Sequence, residues 1–98
     1  MAKAVETCPV EEAIRVIGGK WKLLVLRSLL LNGPQRYNEL LASVTAISQK
    51  ELTRNLRALA KAELVTASGA RYGLTKLGEG LMPTFKSLLK WGTHLPVR

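Results

Sequence analysis

Between Asn38 and Lys61 the chain reads NELLASVTAISQKELTRNLRALAK, two helical segments separated by the three residues Thr45-Ala46-Ile47. That spacing constrains the fold more than any other feature. Asn38 suits the cap of a short helix over Glu39 to Val44. Ser48 followed by Glu51 is a capping box, in which the hydroxyl accepts from the backbone amide three residues on and the carboxylate reaches back to the cap amide. Two helices joined by so short a turn make one supersecondary unit. They form a helix-turn-helix, whose second helix enters a DNA major groove while the first braces it.

The second helix has two chemically distinct faces. At about 100° per residue, with Leu52 as zero, Leu56 falls near 40° and Leu59 near 340°. Lys50, Arg54, Arg57 and Lys61 then fall at roughly 160°, 200°, 140° and 180°. Glu51, Asn55 and Ala58 lie on the flanks, so the stripe reads as cations without an intervening carboxylate. Like charges one turn apart repel by about 0.2–0.5 kcal/mol each, a cost that an anionic partner would offset. A solvated charged face is the plain alternative.

The rest of the chain supplies a frame for this unit. Thr7-Cys8-Pro9 opens a helix, with Pro9 suited to the first helical position. Val10, Ala13, Ile14 and Ile17 follow at helical spacing, and Gly18-Gly19 ends the segment. Lys20 to Leu31 is a second helix with so wide an apolar arc that it belongs at the centre, and Asn32-Gly33-Pro34 stops it. Gln35 to Tyr37 is extended. After the basic helix, Glu63 to Thr66 and Arg71 to Leu74 form a hairpin around a Gly turn, which makes the domain winged. Arg71, near the hairpin tip, could reach an adjacent phosphate or the minor groove. Thr75 caps a last helix running to about Trp91, in which Leu77, Leu81, Phe85, Leu88 and Gly92 approach a heptad pattern. Pro83 within it predicts a kink or a later start.

Together these features predict one mostly α-helical domain with a small β-hairpin wing over residues 1–98: helix-turn-helix 38–62, wing 63–74, dimerisation helices 9–17 and 75–92. The two terminal helices carry more apolar surface than so small a domain can cover, and Val10, Ile14, Leu81, Phe85, Leu88 and Trp91 are the expected homodimer seam. A two-fold dimer places two basic helices about one DNA turn apart.

Charge supports a nucleic-acid partner only in part. The net charge is +8, but Arg36 to Lys76 holds seven cations and three glutamates, +4, and the remainder holds the other +4. Placement on one helix face is the stronger signal. Catalysis is excluded by inventory. There is no Asp and a single histidine, His94, too few groups for a catalytic triad or a zinc centre. Gly18-Gly19-Lys20 resembles a phosphate loop in composition only. No enzyme activity, cofactor or metal is expected. The longest apolar run, Leu23 to Leu31, is broken by Arg27 and Ser28 and is too short to span a bilayer. Without an apolar leader at the start, a cytoplasmic protein away from membranes is the expectation.

The segments CPVEEAIRVIGGKWKLLVLRSLL, RYNELLASVTAISQKELTRNLRALAKAELV and YGLTKLGEGLMPTFKSLLKW together resemble the HxlR family of bacterial winged helix-turn-helix transcription regulators, relatives of the MarR group. The resemblance covers nearly the whole chain. It implies a homodimer joined by the terminal helices and bound to palindromic double-stranded operator DNA. The DNA contacts it implies fall on Ser48, Gln49, Lys50, Thr53, Arg54 and Arg57, with Arg36 on a phosphate; Lys61 extends the same face. The wing is shorter than is usual in the family and lacks a proline-containing tip, which bears on Arg71. Some members sense oxidants or electrophiles with a cysteine in this region, making Cys8 a candidate redox sensor; inert packing is the alternative, and Glu11 and Glu12 oppose thiolate formation there. Trp21 and Trp91 read as packing residues, with a pocket for a small-molecule or oxidant effector as the sharper reading. A winged-helix protein-interaction module and a basic RNA-binding protein are the competing functions.

Overall fold

Two successive glycines set the angle at which the first helix leaves the core. In the computed structural model, which describes residues 8–96, α1 spans Pro9–Ile17 and α2 spans Lys20–Asn32. Gly18 is extended and its amide donates to the Ile14 carbonyl at 2.6 Å. A Cβ on Gly18 would collide with that same carbonyl oxygen. Gly19 sits at φ 99°, a conformation that side-chain-bearing residues rarely adopt. Together the pair turns the chain sharply enough for α2 to run through the centre, with Val25, Leu26, Ser28 and Leu29 buried.

The chain continues through β1 (Gln35–Arg36), α3 (Tyr37–Ser43), α4 (Gln49–Lys61), β2 (Val65–Ser68), β3 (Arg71–Leu74), α5 (Lys76–Glu79) and α6 (Met82–Gly92). The architecture is a mostly helical winged helix-turn-helix. Leu26, Leu40, Leu52, Leu59 and Val25 are its largest fully buried side chains, so α2, α3 and α4 share one core. Burying each such leucine contributes roughly 1.5–3 kcal/mol. The leucine face expected for α4 is the face that anchors it, and the helix-turn-helix is held by that core rather than by its turn.

Several expectations require correction. The wing is a three-stranded antiparallel sheet ordered β1-β3-β2, not an isolated hairpin. Gln35 pairs with Tyr72 and Arg36 with Arg71. α3 begins at Tyr37, so Asn38 lies inside it; Arg36 occupies the cap position, and the Glu39 carboxylate accepts from its amide at 2.8 Å. Glu63 does not start the wing but ends α4 at φ 66°. There the Glu63 amide donates to Ala60 O and the Leu64 amide to Leu59 O, both at 3.0 Å, the paired bonds of a Schellman ending. Buried Leu64 then packs where that motif places its apolar residue.

The C-terminal helix expected over 75–92 is two helices. Thr75 does cap the first, its hydroxyl accepting from the Gly78 amide at 3.0 Å, but the helix stops after Glu79. Pro83 occupies the first turn of α6, where the missing N–H costs nothing. Leu77 therefore belongs to α5 and not to a continuous heptad seam. Leu81 and Phe85 pack partly against the protein's own core. They are shared between the fold and any outer partner, whereas Val10, Ile14, Leu88 and Trp91 remain exposed.

Candidate nucleic-acid interface

The outward face of α4 is set by how the helix begins. Ser48 Oγ accepts from the Glu51 amide at 3.0 Å, half of the expected capping box. The other half does not form, because the Glu51 carboxylate pairs with Arg54 at 2.5 Å. The basic stripe is thus not free of carboxylates: one of its arginines is held by an acid on the flank. Lys50, Arg57 and Lys61 are exposed and have no carboxylate partner among the described residues.

Gln49, Lys50, Thr53, Arg54 and Arg57 line one open concavity of about 540 Å³, together with Tyr37 from α3. It is walled by the recognition helix on one side and the start of the bracing helix on the other. A smaller depression of about 300 Å³ shares Tyr37, Thr53 and Arg57 with it, and there these residues, Leu56 and Ala60 meet Tyr72 of β3. The surface is therefore an open shelf running from the helix to the sheet, with cations along its length. Ser48 lies at the cap, and Lys61 is placed in the last turn, beyond the concavity.

Arg36 and Arg71 come together from distant sequence positions, because β1 pairs with β3 at that register. Like charges directly opposite on a sheet repel. Glu39 moderates this: its carboxylate lies 3.9 Å from the Arg71 guanidinium while also accepting from the Arg36 amide. Both arginine side chains remain exposed, at the sheet end nearest the wing turn.

For Tyr37 the sequence leaves helix packing and DNA contact equally open, and the fold places it on the concavity. Its hydroxyl donates to the Gln49 carbonyl at 3.0 Å and lies 2.8 Å from Thr53 Oγ1. It ties the first turn of α3 to the first turns of α4. Behind it, a buried amide holds β1 in place: Gln35 Nε2 donates to Ser28 O at 3.1 Å and to Ser28 Oγ at 2.9 Å. Ser28 Oγ lies 2.6 Å from Ser43 Oγ at the end of α3. Helix α2, strand β1 and helix α3 are thereby cross-linked by polar groups within an apolar core, where unmade bonds cost about 1–3 kcal/mol each.

Cys8 lies at the N-cap of α1 and is exposed. Its thiol is held below the ordinary cysteine range, first by the Glu11 backbone N–H and then by that of Val10. Trp21 is partly buried against the core, with Lys20 Nζ 4.6 Å from its ring centroid. Trp91 is 61% exposed, so the packing role expected for it is not met within one chain. Among the described residues no cluster of His, Cys, Asp or Glu could hold a metal ion, and no helix is long and apolar enough to cross a membrane.

A cation-faced second helix, braced by the first and flanked by a three-stranded wing, defines the winged helix-turn-helix class of transcriptional regulators. The family can be stated more narrowly: a profile of HxlR-like helix-turn-helix proteins matches residues 16–97, and the chain belongs to that family. The HTH-type transcriptional regulator YkvN of Bacillus subtilis is 41% identical over 95 residues, covering 90% of this chain and 80% of that one. Among solved structures, quinone-bound YodB from B. subtilis superposes with a TM-score of 0.82 at 31% identity, over 90% of this chain and 100% of that one. The redox regulator HypR in its oxidised form superposes at 0.76 with 32% identity, over 93% and 100%. The protein is accordingly a helix-turn-helix transcriptional regulator and not an enzyme.

Proposed function

We propose that this protein regulates transcription as a homodimer that binds double-stranded DNA at a palindromic operator, with α4 in the major groove. The observation that carries the reading is the division of α4: Leu52, Leu56 and Leu59 are buried while Lys50, Arg54 and Arg57 line an open shelf and Lys61 is exposed beyond it. Phosphates are the chemical complement of that shelf. Lys50, Arg57, Lys61 and Arg36 serve as phosphate contacts, and Arg71 reaches the backbone beside the wing. Ser48, Gln49 and Arg54 serve base edges or the phosphates next to them, and Thr53 serves a base edge.

Dimerisation is supported by surface that one chain leaves uncovered. Val10 is 63% exposed, Ile14 61%, Leu89 72% and Trp91 61%, all on α1 or α6, and neither helix has a buried residue. Pairing these faces around a two-fold axis removes that surface from water and presents two recognition helices.

Cys8 is the point at which an oxidant or electrophile acts. An exposed thiol with a lowered pKa at a helix N-terminus is a competent nucleophile, and it sits on the helix assigned to the dimer seam. The likeness to quinone-bound YodB and to the redox regulator HypR supports this reading.

Competition binding tests the proposal. A duplex selected from a random pool should bind the purified protein about 10³-fold or more tighter than random duplex at physiological salt, with two protomers per site by sedimentation. Diamide or a quinone should lower that affinity for wild type and leave Cys8→Ser unchanged. Equal affinity for all duplexes, or for structured RNA, would refute the DNA reading.

A further inference from the structure

The hydroxyl of Tyr37 makes two short contacts on the reading shelf, and counting protons determines what both partners can do. The Gln49 carbonyl, 3.0 Å away, has no proton to give, so the proton in that contact is the tyrosine's only one. Tyr37 Oη therefore has nothing left to donate to Thr53 Oγ1, 2.8 Å distant. The proton in that second contact is the threonine's. Thr53 donates to Tyr37, Tyr37 donates to Gln49, and the chain ends on a backbone carbonyl fixed in the helix. Each bond in such a chain polarises the next in the same direction.

The consequence lies on the side of Thr53 that faces out. Its only proton is turned inward, so toward the groove Oγ1 offers lone pairs alone. A free threonine can either donate or accept and would serve a phosphate, a keto oxygen or an amino group alike. This one can only accept. A phosphate oxygen, guanine O6 and N7, and thymine O4 are themselves acceptors, and two facing acceptors repel. In the major groove the exocyclic amino groups of adenine and cytosine are the donors.

We propose that Tyr37 is a positioning residue that makes Thr53 a one-way reader of amino groups, selecting adenine or cytosine over guanine or thymine on the strand that Thr53 faces. The inference rests on the DNA-binding reading above and makes it more specific. It separates Thr53 from its neighbours on the shelf: Lys50 and Arg57 can clamp any phosphate, whereas Thr53 is unsuited to one. It also assigns Tyr37 a role without any contact of its own to DNA.

The experiment starts from a consensus duplex selected by the full-length wild-type protein from a random pool, followed by single-position variants. Thr53→Val, which keeps the shape and removes the hydroxyl, locates the position that Thr53 reads as the one where selectivity disappears. The base pair at that position presents its exocyclic amino group, on adenine or cytosine, to Thr53. Replacing an adenine there by purine, which lacks the amino group, lowers wild-type affinity about fivefold, the equivalent of one net hydrogen bond. Thr53→Ser retains this sensitivity, and Thr53→Val loses it. Tyr37→Phe releases the threonine proton, so amino and keto bases become equal at that position to within about twofold, while the salt dependence of binding stays at the wild-type value. A variant that merely loosened the fold would weaken binding to every duplex alike and lower its thermal midpoint.

Three results overturn the proposal: wild-type affinity unchanged when the exocyclic amino group of the Thr53-dependent base pair is removed, loss of selectivity at no position in Thr53→Val, or a full amino preference in a folded Tyr37→Phe. Should Tyr37→Phe fail to fold, the serine and valine variants with purine substitution decide the matter alone. Wild-type binding that is base-selective, with any of these results, removes the proton argument and leaves the DNA reading intact. Wild-type binding without base selectivity removes both.

Discussion

Removing the side-chain charges of Lys50 and Arg57 tests whether the shelf meets phosphates. Both residues are exposed on the concavity and have no carboxylate partner among the described residues, so their loss leaves no orphaned acid. Both lie opposite Leu52, Leu56 and Leu59, so Lys50→Ala with Arg57→Ala should leave the core and the thermal midpoint nearly unchanged. Each cation that neutralises a phosphate contributes about 0.9 to the slope of log K against log salt. Two per protomer, doubled in the dimer, make a slope change of about 3.6. Between ~50 and ~200 mM salt, wild type should lose about 150-fold more affinity than the variant over the same interval. Fluorescence anisotropy of a labelled operator duplex across that range measures both slopes. A change of about 1.8 would mean that one protomer alone engages DNA. An unchanged slope in a folded variant would show that these cations do not touch phosphates, and the assignment of α4 to the groove would fail.

Three further outcomes follow from particular contacts. Glu51→Gln frees Arg54 from its ion pair and removes a negative charge from the flank of the shelf; since exposed pairs are worth about 0–1 kcal/mol, operator affinity should rise about two- to fivefold, and a fall in titration would contradict the reading. Ala46→Gly acts on a residue at φ 72° in the helix-turn-helix turn: relief of about 1–2 kcal/mol of left-handed strain against about 0.4–1 kcal/mol of added freedom in the unfolded chain should raise the thermal midpoint by about 3 °C, whereas a drop on calorimetry would argue that the turn is not strained. At Cys8 the folded thiol pKa lies below that of an ordinary cysteine, so the thiolate is favoured in the folded chain at any pH between the folded and unfolded values. Iodoacetamide should therefore alkylate the native protein faster than the urea-unfolded protein near pH 7, with the difference vanishing at high pH; the reverse order would exclude activation by the helix N-terminus.

Sequence periodicity was a sound guide wherever burial depends on one helix face. α1 falls where Pro9 and Gly18 bracket it, α2 where its apolar arc requires a centre, and α4 where Ser48 caps a leucine stripe. It failed where the decisive partner is remote. Two residues of β1 carry no alternation, and only their pairing with Tyr72 and Arg71 makes them a strand. Glu63 resembled a strand residue because nothing in its side chain announces a left-handed φ; the Schellman bonds to Ala60 and Leu59 impose it. Near Gly80 the spacing of Leu77, Leu81 and Phe85 suggested one continuous seam. The Pro83 signal was the better guide, since a helix that restarts there turns Leu81 and Phe85 partly inward.

The candidate site was legible in its charges and illegible in its hydroxyls, and the difference is physical. A cation on an exposed helix face keeps its meaning whatever lies nearby, because long-range attraction to phosphates needs only position and sign. A hydroxyl has no fixed meaning until its partner is known. Tyr37 and Thr53 lie on different helices, and nothing in either local stretch couples them. Only when the fold buries Leu40 of α3 and Leu52 of α4 in one core does the tyrosine oxygen come within bonding distance of both Gln49 and Thr53. Glu51 shows the same dependence from the acidic side: its spacing from Ser48 suits a capping box, but Arg54 on the next turn offers a full charge, and the stronger partner takes the carboxylate. Affinity for DNA can thus be inferred from which residues line the helix, whereas discrimination among bases depends on where the fold directs their protons.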